Sequence, residues 1–374
     1  MTIPPVALAR FEHGLRPLMT RLPFALAVEV YSRGRERFLR QLVAARPAPR
    51  HVPSSLTQTL WGIEFRAPLF NAAGMFKNGR GYELCAAHGA GAYLAGTTTS
   101  RRRRGNDRQS PPRPFFPYPR SHAAVNWLGL PNDGHAAVAS RLANVDRVPG
   151  CPIGVSVGTD TDGSVQERLE GLLDGLRHYD DAGVDFIEIN ESCPNTEEGA
   201  TPFAALAERL ETLSRSFLRH RNRRLPVLVK FSCDTDPERV AELIDLLLTL
   251  RFDGVIFGNT STAYDRHRAT IDPSERGAYD TFARRFGGGV SGRVLAADAR
   301  TLCGTASRIV SEKQPTDEFH VVRVGGVETA TDVDEALADG AALCQWYTGL
   351  FSAYATHGDD LYAKLYGSMP ARNE

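Results

Sequence analysis

The sequence predicts an α/β fold: a (β/α)8 TIM barrel, in which eight parallel strands close into a cylinder, with a short helical N-terminal extension. Three observations support this prediction. Eight short apolar runs follow one another from about residue 66, amphipathic helical stretches lie between several of them, and 374 residues suit a single barrel of this type. We therefore assign residues 1–54 to the extension and residues 55–374 to the barrel.

The strands are predicted from apolar runs of strand length that alternate with helical stretches. In chain order the eight runs are Leu69–Met75, Ala90–Thr97, Ile153–Val157, Phe186–Asn190, Pro226–Phe231, Gly254–Asn259, His320–Val324 and Ala342–Tyr347. Regular alternation of strand and helix favours a parallel sheet, and eight such units favour a closed barrel.

Three of the helices have clear sequence signals. One begins at Ser164, which forms a capping box with Glu167 three residues later. Another begins at Asp236, which is followed by a proline at the first helical position. The third is marked by the apolar stripe Leu206, Leu210, Leu213 and Phe217. These stripes indicate core packing and need no functional explanation.

The first 50 residues differ in composition from the rest of the chain. They contain nine Arg and three Glu, a local excess of +6, whereas the whole chain has a formal net charge of zero. Pro17 and Pro23 predict breaks between short amphipathic helices. One interpretation is a helical cap packed on the barrel, and the other is a patch that touches an anionic membrane surface.

The stretch 99–135 is too long and too rich in Arg and Pro for a plain connection. Loops of this kind are usually binding loops or lids. Its run Arg101–Arg104 is interpreted either as a solvated loop or as extra anion recognition near the mouth of the barrel.

Reactive residues of barrel enzymes lie at the C-terminal ends of the strands, and these ends are rich in polar residues and glycine here. The strand ends are Ala72–Gly79, Gly96–Thr99, Asn190–Thr196, Lys230, Gly258–Thr260, Gly325-Gly326 and Tyr347-Thr348. Two lysines and three asparagines at one mouth suit a planar anion with several carbonyl oxygens. The glycine pair after the seventh strand allows the backbone to approach a phosphate, as an FMN-binding barrel requires.

At these residues the sequence resembles the dihydroorotate dehydrogenase family. The similar segments are Asn71–Gly79, Val125–Gly134, Asn190–Thr196, Gly258–Thr260, Gly287–Gly292 and Val324–Val327. They occur in order and with matching spacing over roughly residues 55–350. The resemblance implies FMN as cofactor and the oxidation of (S)-dihydroorotate to orotate in de novo pyrimidine biosynthesis.

The resemblance also implies roles for individual residues. FMN would be lined by Ala73, Gly74, Lys77, Thr97, Ser156, Asn190, Lys230, Gly258, Gly292, Gly325, Gly326, Tyr347 and Thr348. The substrate would contact Lys77, Asn126, Trp127, Leu128, Gly129, Leu130, Asn190, Asn195, Asn259 and Thr260. Cys193 occupies the position of the catalytic base, which takes a proton from C5 while a hydride passes from C6 to flavin N5. Lys230 would stabilise charge on the reduced flavin, and Lys77 would pair with the substrate carboxylate.

The chain combines marks of two classes of this family. The cysteine base and the segment Gly129–Asn132 are similar to the soluble class. The N-terminal extension and the segment Gly289–Gly292 are similar to the membrane-associated, quinone-reducing class, which uses a serine base. We expect a quinone acceptor that enters through the extension, with fumarate and oxygen as alternatives. The expected location is the cytoplasm, either free or at the inner face of the membrane.

Two alternatives to dihydroorotate oxidation stay open. Phe76 and Trp127 are unusual for the family, so a relative that acts on another heterocycle or cyclic substrate in a specialised pathway is the second hypothesis. A non-catalytic flavin-binding or membrane-interaction protein is the third. The joint presence of Lys77, Cys193 and Lys230 counts against the third hypothesis, because a binding protein need not keep a base.

Composition argues against several other function classes. A net charge of zero does not favour a nucleic-acid partner. The six cysteines form no CxxC pair, which argues against a metal site or an iron–sulfur cluster. We assign no chemistry to the five cysteines other than Cys193. The sequence leaves the oligomeric state open, and a homodimer is one state compatible with it.

Overall fold

The computed structural model describes residues 3–191, 203–221 and 223–370. The strands are β1 Gln58–Leu60, β2 Ile63–Phe65, β3 Leu69–Asn71, β4 Tyr93–Thr98, β5 Phe115–Tyr118, β6 Ala123–Asn126, β7 Ile153–Gly158, β8 Phe186–Asn190, β9 Val227–Ser232, β10 Gly254–Asn259, β11 Gly289–Gly292, β12 His320–Val324 and β13 Leu343–Trp346. The helices are α1 Pro5–Met19, α2 Phe24–Ala44, α3 Tyr82–His88, α4 His135–Ala143, α5 Val165–Asp181, α6 Phe203–Ser216, α7 Val240–Thr249, α8 Tyr264–Arg268, α9 Arg276–Phe286, α10 Ala296–Lys313, α11 Ala330–Ala338, α12 Thr348–His357 and α13 Leu361–Tyr366.

Eight parallel strands form the barrel, as the sequence predicts. Their order is β3-β13-β12-β10-β9-β8-β7-β4, and every neighbouring pair in this order is parallel. Each of the eight predicted apolar runs overlaps one of these strands. The first run was predicted too long, because the ladder of β3 already ends at Asn71 and the chain then turns into the barrel mouth.

The barrel is closed between β3 and β4 by one side chain together with a few backbone hydrogen bonds rather than by a continuous strand ladder. The fully buried Asn71 carboxamide donates to the carbonyl of Leu94 at 2.7 Å and accepts from its amide at 3.2 Å. Beyond it, the Gly74 amide donates to the Gly96 carbonyl at 2.7 Å. Asn71 thereby supplies the donor and acceptor that an extended neighbouring strand would otherwise provide.

The interior of the barrel is filled by apolar side chains from most of its strands, including Phe70, Leu94, Phe186, Leu228, Ile256 and Val322. The hairpin of β1 and β2 closes the N-terminal end, where the Trp61 indole donates to the Asp253 carbonyl at 3.0 Å. A second, larger layer lies between the strands and the surrounding helices. The apolar filling leaves the C-terminal mouth as the open end of the barrel.

Two of the predicted helix starts have the expected chemistry. The Ser164 and Glu167 capping box is confirmed at the start of α5. The Asp236 carboxylate accepts from the Glu238 amide, but it caps a short 3-10 turn over Pro237–Arg239, and α7 begins only at Val240.

The stretch 99–135 is more than a long loop, so that interpretation was incomplete. It contains β5 and β6, which form a hairpin, and β11 joins them in a three-stranded antiparallel sheet of order β11-β6-β5. Strand β5 was not predicted from the sequence, because Pro117 lies within it and a proline argues against a strand. Pro117 is tolerated there because β5 is an edge strand, where a missing N–H breaks no ladder.

The N-terminal extension forms two helices that pack on the barrel as a cap. The prediction that Pro17 breaks a helix was wrong: Pro17 lies inside α1, which continues to Met19, so the loss of one N–H donor close to the end does not stop the helix. Pro23 does separate the helices, because it is the N-cap residue of α2. Helix α1 packs against α12, and α2 packs against β5.

Among the described residues, we find no helix that combines the length and the apolar character needed to cross a membrane.

Candidate functional site

One cavity at the C-terminal mouth of the barrel collects most of the predicted site residues. The predicted residues in its wall are Ala73, Gly74, Lys77, Thr97, Asn126, Leu128, Leu130, Asn190, Lys230, Gly258, Asn259, Thr260, Gly292, Gly325, Gly326, Tyr347 and Thr348. Seven of the eight barrel strands contribute to this wall at their C-terminal ends. Residues far apart in the sequence therefore meet where barrel enzymes carry out their chemistry.

Five predicted site residues are not found in this wall. Cys193 and Asn195 lie outside the described residues. Ser156 is fully buried behind Thr97, and the two hydroxyl groups are hydrogen-bonded to each other. Trp127 packs against the apolar core beneath the three-stranded sheet, and the Gly129 carbonyl is held by the Arg103 guanidinium at 3.2 Å. For these residues the predicted contacts with cofactor or substrate stay predictions.

A chain of hydrogen bonds fixes the polar side of the cavity. The Asn259 carboxamide donates to Asn190 at 2.9 Å, and the Asn190 carboxamide donates to the Thr97 hydroxyl at 3.1 Å. The Thr97 and Ser156 hydroxyls are 2.9 Å apart, and Ser156 donates to Glu188 at 2.9 Å. Each rotamer is thus held by a neighbour, so the donors that face the cavity are preorganised.

This series of hydrogen bonds ends at the buried ion pair of Lys230 and Glu188. The Lys230 ammonium donates to Glu188 and to the Gln345 carboxamide oxygen, both at 3.2 Å, and Gln345 donates back to Glu188 at 2.9 Å. The Lys230 and Glu188 side chains are 4% and 0% exposed, so solvent screens the pair very little. The arrangement keeps an ammonium group at the cavity wall without leaving its charge uncompensated.

Glycines bring the backbone close to the other side of the cavity. A Cβ atom on Gly258 would lie 1.6 Å from the Val324 carbonyl oxygen, and one on Gly326 would lie 2.5 Å from the Ala296 Cα. Any larger residue would push these segments apart. The first turn of α12 begins at Thr348 on the same side, where unpaired N–H groups and the helix dipole favour an anion.

These features fit the predicted cofactor. The Gly325-Gly326 turn and the start of α12 form a cradle for a phosphate, and Lys230 supplies a cation to the same cavity. An asparagine-rich wall and Lys77 complete a site for a second, planar and anionic molecule. The donor set therefore suits a phosphate-bearing planar group beside a small heterocyclic acid.

A second, mainly apolar groove adjoins this cavity and shares Tyr347 and Thr348 with it. It lies among α1, α2, β5 and α12 and encloses about 1230 Å³, against about 110 Å³ for the cavity. The Arg35 guanidinium from α2 donates to the Tyr347 hydroxyl at 2.6 Å. The Tyr118 hydroxyl and the Arg35 Nε are buried along the groove, and neither has a hydrogen-bond partner among the described residues. The groove is thus mainly apolar, with a few buried polar groups in its walls.

The buried cysteines outside the mouth are poor candidates for reactive groups. Burial raises the pKa of the Cys151 thiol to about 11, and burial likewise raises the pKa of Cys85, Cys233 and Cys303. A raised thiol pKa keeps the unreactive neutral form at physiological pH. This agrees with assigning them no chemistry.

Several site residues were not found from the sequence. Glu188 and Gln345 are polar residues inside apolar strands, and that contrast is the signal by which they could have been found. Arg35 carried no such signal, because it is one of nine arginines in the extension. Its contact with Tyr347 distinguishes it from the others in the structure.

Comparison with known proteins gives a consistent result. A family model described as dihydroorotate dehydrogenase matches residues 55–365. The chain is 31% identical over 328 residues to the dihydroorotate dehydrogenase (quinone) of Mycolicibacterium smegmatis, covering 87% of this chain and 83% of that protein. It is 33% identical over 344 residues to the enzyme of the same name from an Arthrobacter species, covering 88% of this chain and 87% of that protein.

Solved structures with the same fold include ligand-free DHODH from Eimeria tenella. That structure has a TM-score of 0.73 and 22% sequence identity, and the similarity covers 89% of this chain and 92% of the other. The ferulenol complex of the same protein has a TM-score of 0.70, also at 22% identity, with 90% and 89% covered.

Proposed function

The chain belongs to the dihydroorotate dehydrogenase family, and we propose that it oxidises (S)-dihydroorotate to orotate in de novo pyrimidine biosynthesis, with FMN as cofactor and a quinone as electron acceptor. One observation carries the proposal. Predicted cofactor and substrate residues from seven strand ends line a single cavity, and this cavity shares Tyr347 with a large apolar groove.

Gly326 and the first turn of α12 would hold the phosphate of FMN, and Lys230 would contact its ring system. Bound FMN would supply the hydride acceptor of the reaction. Lys230, held by Glu188 and Gln345, stabilises the negative charge that arrives with the hydride. The network on Glu188 keeps the ammonium group in place throughout, so no reorganisation is needed at the moment of reaction.

The substrate is proposed to lie between the flavin and the loop that follows β6. Lys77 pairs with the substrate carboxylate, which is a charge-assisted contact. The carboxamides of Asn126, Asn190 and Asn259 face the same cavity and can match the ring amides of a dihydropyrimidine, because each offers both a donor and an acceptor.

Cys193 is proposed as the base from its position in the sequence alone. Its thiolate takes the proton from C5, the C6–H electron pair leaves as a hydride, and a C5=C6 double bond forms. A thiol with an ordinary pKa is mostly protonated at neutral pH, so the reaction should quicken as pH rises towards that pKa.

The acceptor is proposed to be a quinone that enters through the groove. Its lining is mainly apolar, as a quinone ring and its isoprenoid tail require, and its inner end reaches Tyr347 at the cavity. The relatives described above are named for quinone. Tyr347 and Arg35 provide hydrogen-bonding groups at the point where electrons would leave the cavity.

The same helices are proposed to contact a membrane surface, where a quinone is found. Phe11 and Leu18 of α1 are 68% and 62% exposed, and Leu26 of α2 is half exposed, beside the arginines of the extension. Apolar side chains flanked by arginines favour an anionic lipid surface. Sedimentation with anionic liposomes tests this point: the full chain should pellet, and a chain without residues 1–44 should not.

A different heterocyclic substrate is the second candidate, and the positions of Phe76 and Trp127 do not favour it. The two residues that suggested it do not line the cavity: Phe76 is 4% exposed and packs against Tyr93, and Trp127 packs on the core beneath the small sheet.

The proposal is tested by adding dihydroorotate to the purified yellow protein without oxygen. Rapid bleaching of the flavin band, formation of orotate and reoxidation by a soluble quinone analogue are expected. A flavin band that stays unchanged would refute dihydroorotate as the substrate. Cys193→Ala should bind FMN but fail to bleach, whereas Cys151→Ala, a buried cysteine away from the cavity, should bleach normally.

A further inference from the structure

Arg323 is a charged residue in an apolar position. It lies on β12 with its side chain buried outside the barrel, and the residue is 2% exposed. Two residues later the chain enters the Gly325-Gly326 turn. A guanidinium is always charged in proteins, and burying one is unfavourable unless its charge is compensated.

The contacts of Arg323 do not compensate this charge. Its two terminal nitrogens donate to the backbone carbonyls of Asp332 and Ala296, both at 3.5 Å, and its buried Nε has no hydrogen-bond partner. In the described part of the chain, no carboxylate oxygen lies within 4.0 Å of the guanidinium. Hydrogen bonds of 3.5 Å to neutral oxygens are weak, so the buried cation keeps most of its field.

The two carbonyls place Arg323 directly behind the glycine turn. Ala296 is the first residue of α10, and it is the residue on which Gly326 packs. Asp332 lies in the first turn of α11, which follows the turn in the chain. The guanidinium therefore lies between the starts of α10 and α11, on the side of the Gly325-Gly326 turn where Gly326 packs on Ala296.

The other charges near the turn are paired with one another, and one of them, the half-exposed Arg293 guanidinium, also donates to the Gly326 carbonyl at 3.5 Å. The Asp332 carboxylate accepts from the Thr329 hydroxyl at 2.8 Å and pairs with Arg293, and Glu328 is 3.2 Å from the His122 ring. Arg293 and His122 are 50% and 62% exposed, so solvent screens them. Arg323 is the buried cation that can offset these carboxylates at low dielectric.

We propose that Arg323 is the buried counter-charge for the phosphate group of the flavin cofactor, acting from behind the Gly325-Gly326 turn. The inference rests on the proposed FMN site. It predicts that Arg323 contributes selectively to binding a phosphorylated flavin, because riboflavin has the same ring system but no anion at this end.

The test compares FMN and riboflavin binding by flavin fluorescence, using the full chain after removal of its flavin. Arg323→Gln keeps a neutral hydrogen-bonding side chain but removes the charge, and Arg323→Lys keeps the charge. The ratio of FMN to riboflavin affinity should fall about tenfold or more in Arg323→Gln and stay within about threefold of the unchanged chain in Arg323→Lys. Riboflavin affinity should be the same in all three proteins.

Two controls separate charge from folding. Arg221→Met removes an arginine that pairs with Asp253 at the other end of the barrel, so it should lower stability without changing the affinity ratio. Arg323→Met should unfold at or above the temperature of the unchanged chain, since apolar replacement of a buried charge is often neutral or stabilising. Its affinity ratio should fall as in Arg323→Gln.

An unchanged ratio in Arg323→Gln would overturn the proposal, and so would an equal loss of both flavins. The outcome is independent of the substrate: a protein that discriminates FMN through Arg323 but ignores dihydroorotate would retain the counter-charge and refute only the proposed reaction.

Discussion

Removing the charge of Glu188 should destabilise the fold, and double substitution should reverse the effect. Glu188 is fully buried and accepts from Lys230 at 3.2 Å and from Ser156 and Gln345 at 2.9 Å. In Glu188→Gln the Lys230 ammonium loses its counter-charge, and the new NH2 group faces the donor of Gln345. Loss of one partner of a buried ion pair costs about 3–5 kcal/mol.

The expected shift in melting temperature follows from the size of the chain. About 2.1 cal/mol/K of unfolding entropy per residue gives roughly 0.8 kcal/mol/K for 374 residues. A loss of 3–5 kcal/mol should therefore lower the melting temperature by roughly 4–6 °C. Differential scanning calorimetry of the flavin-free chain at one scan rate measures this shift.

The double variant Glu188→Leu with Lys230→Met provides the decisive comparison. Because an apolar pair of similar volume can replace a buried ion pair at little cost, its melting temperature should lie within about 2 °C of the unchanged chain. It should nevertheless lose flavin reduction by dihydroorotate, since the ammonium is gone. A double variant as unstable as Glu188→Gln would refute the view that charge compensation holds this network together.

Three further predictions concern the substrate, the acceptor and pH. Lys77→Met should lower kcat/KM for dihydroorotate roughly 10- to 100-fold through loss of a charged hydrogen bond. The matched variant Arg80→Met, at an exposed position, should have no effect. Equal losses of kcat/KM in the two variants would contradict the role of Lys77. Arg35→Met should leave anaerobic flavin bleaching unchanged and slow quinone reduction roughly tenfold. Slower bleaching would contradict this role, because it would mean that Arg35 acts in flavin reduction rather than in electron transfer to the quinone. Burial lowers the pKa of His135 to about 3, so below pH 6.5 the unfolded chain binds a proton that the folded chain does not. The free energy of unfolding should therefore fall by up to about 4 kcal/mol between pH 6.5 and pH 3. Thermal unfolding of His135→Leu should show a shallower pH dependence.

The sequence was most informative for features whose structure depends on residues that are close together in the chain. The Ser164 capping box joins residues three positions apart, and its geometry follows from their chemistry alone. Apolar periodicity located all eight barrel strands, because a strand buried on both faces is recognisable from its own composition. From the strand order, the mouth residues followed directly, since parallel strands end at the same face of the barrel.

The sequence was least informative where a partner lies far away in the chain. The edge position of β5 is set by its partner β6, and without it Pro117 indicated a loop. The contact between Arg35 and Tyr347 spans 312 positions, and nothing in the composition of the extension distinguishes Arg35 from its neighbours.

The sequence by itself therefore determined the barrel, its strand order along the chain and the polar residues at its mouth. Only the tertiary structure decided which of these groups are paired. Glu188 meets Gln345 across 157 positions, Asn71 helps to close the barrel on Leu94, and Arg323 lies behind the glycine turn with no carboxylate partner among the described residues. The physical reason is that periodicity and capping act within a few residues, whereas compensation of a buried charge depends on whichever side chain the closed barrel brings beside it.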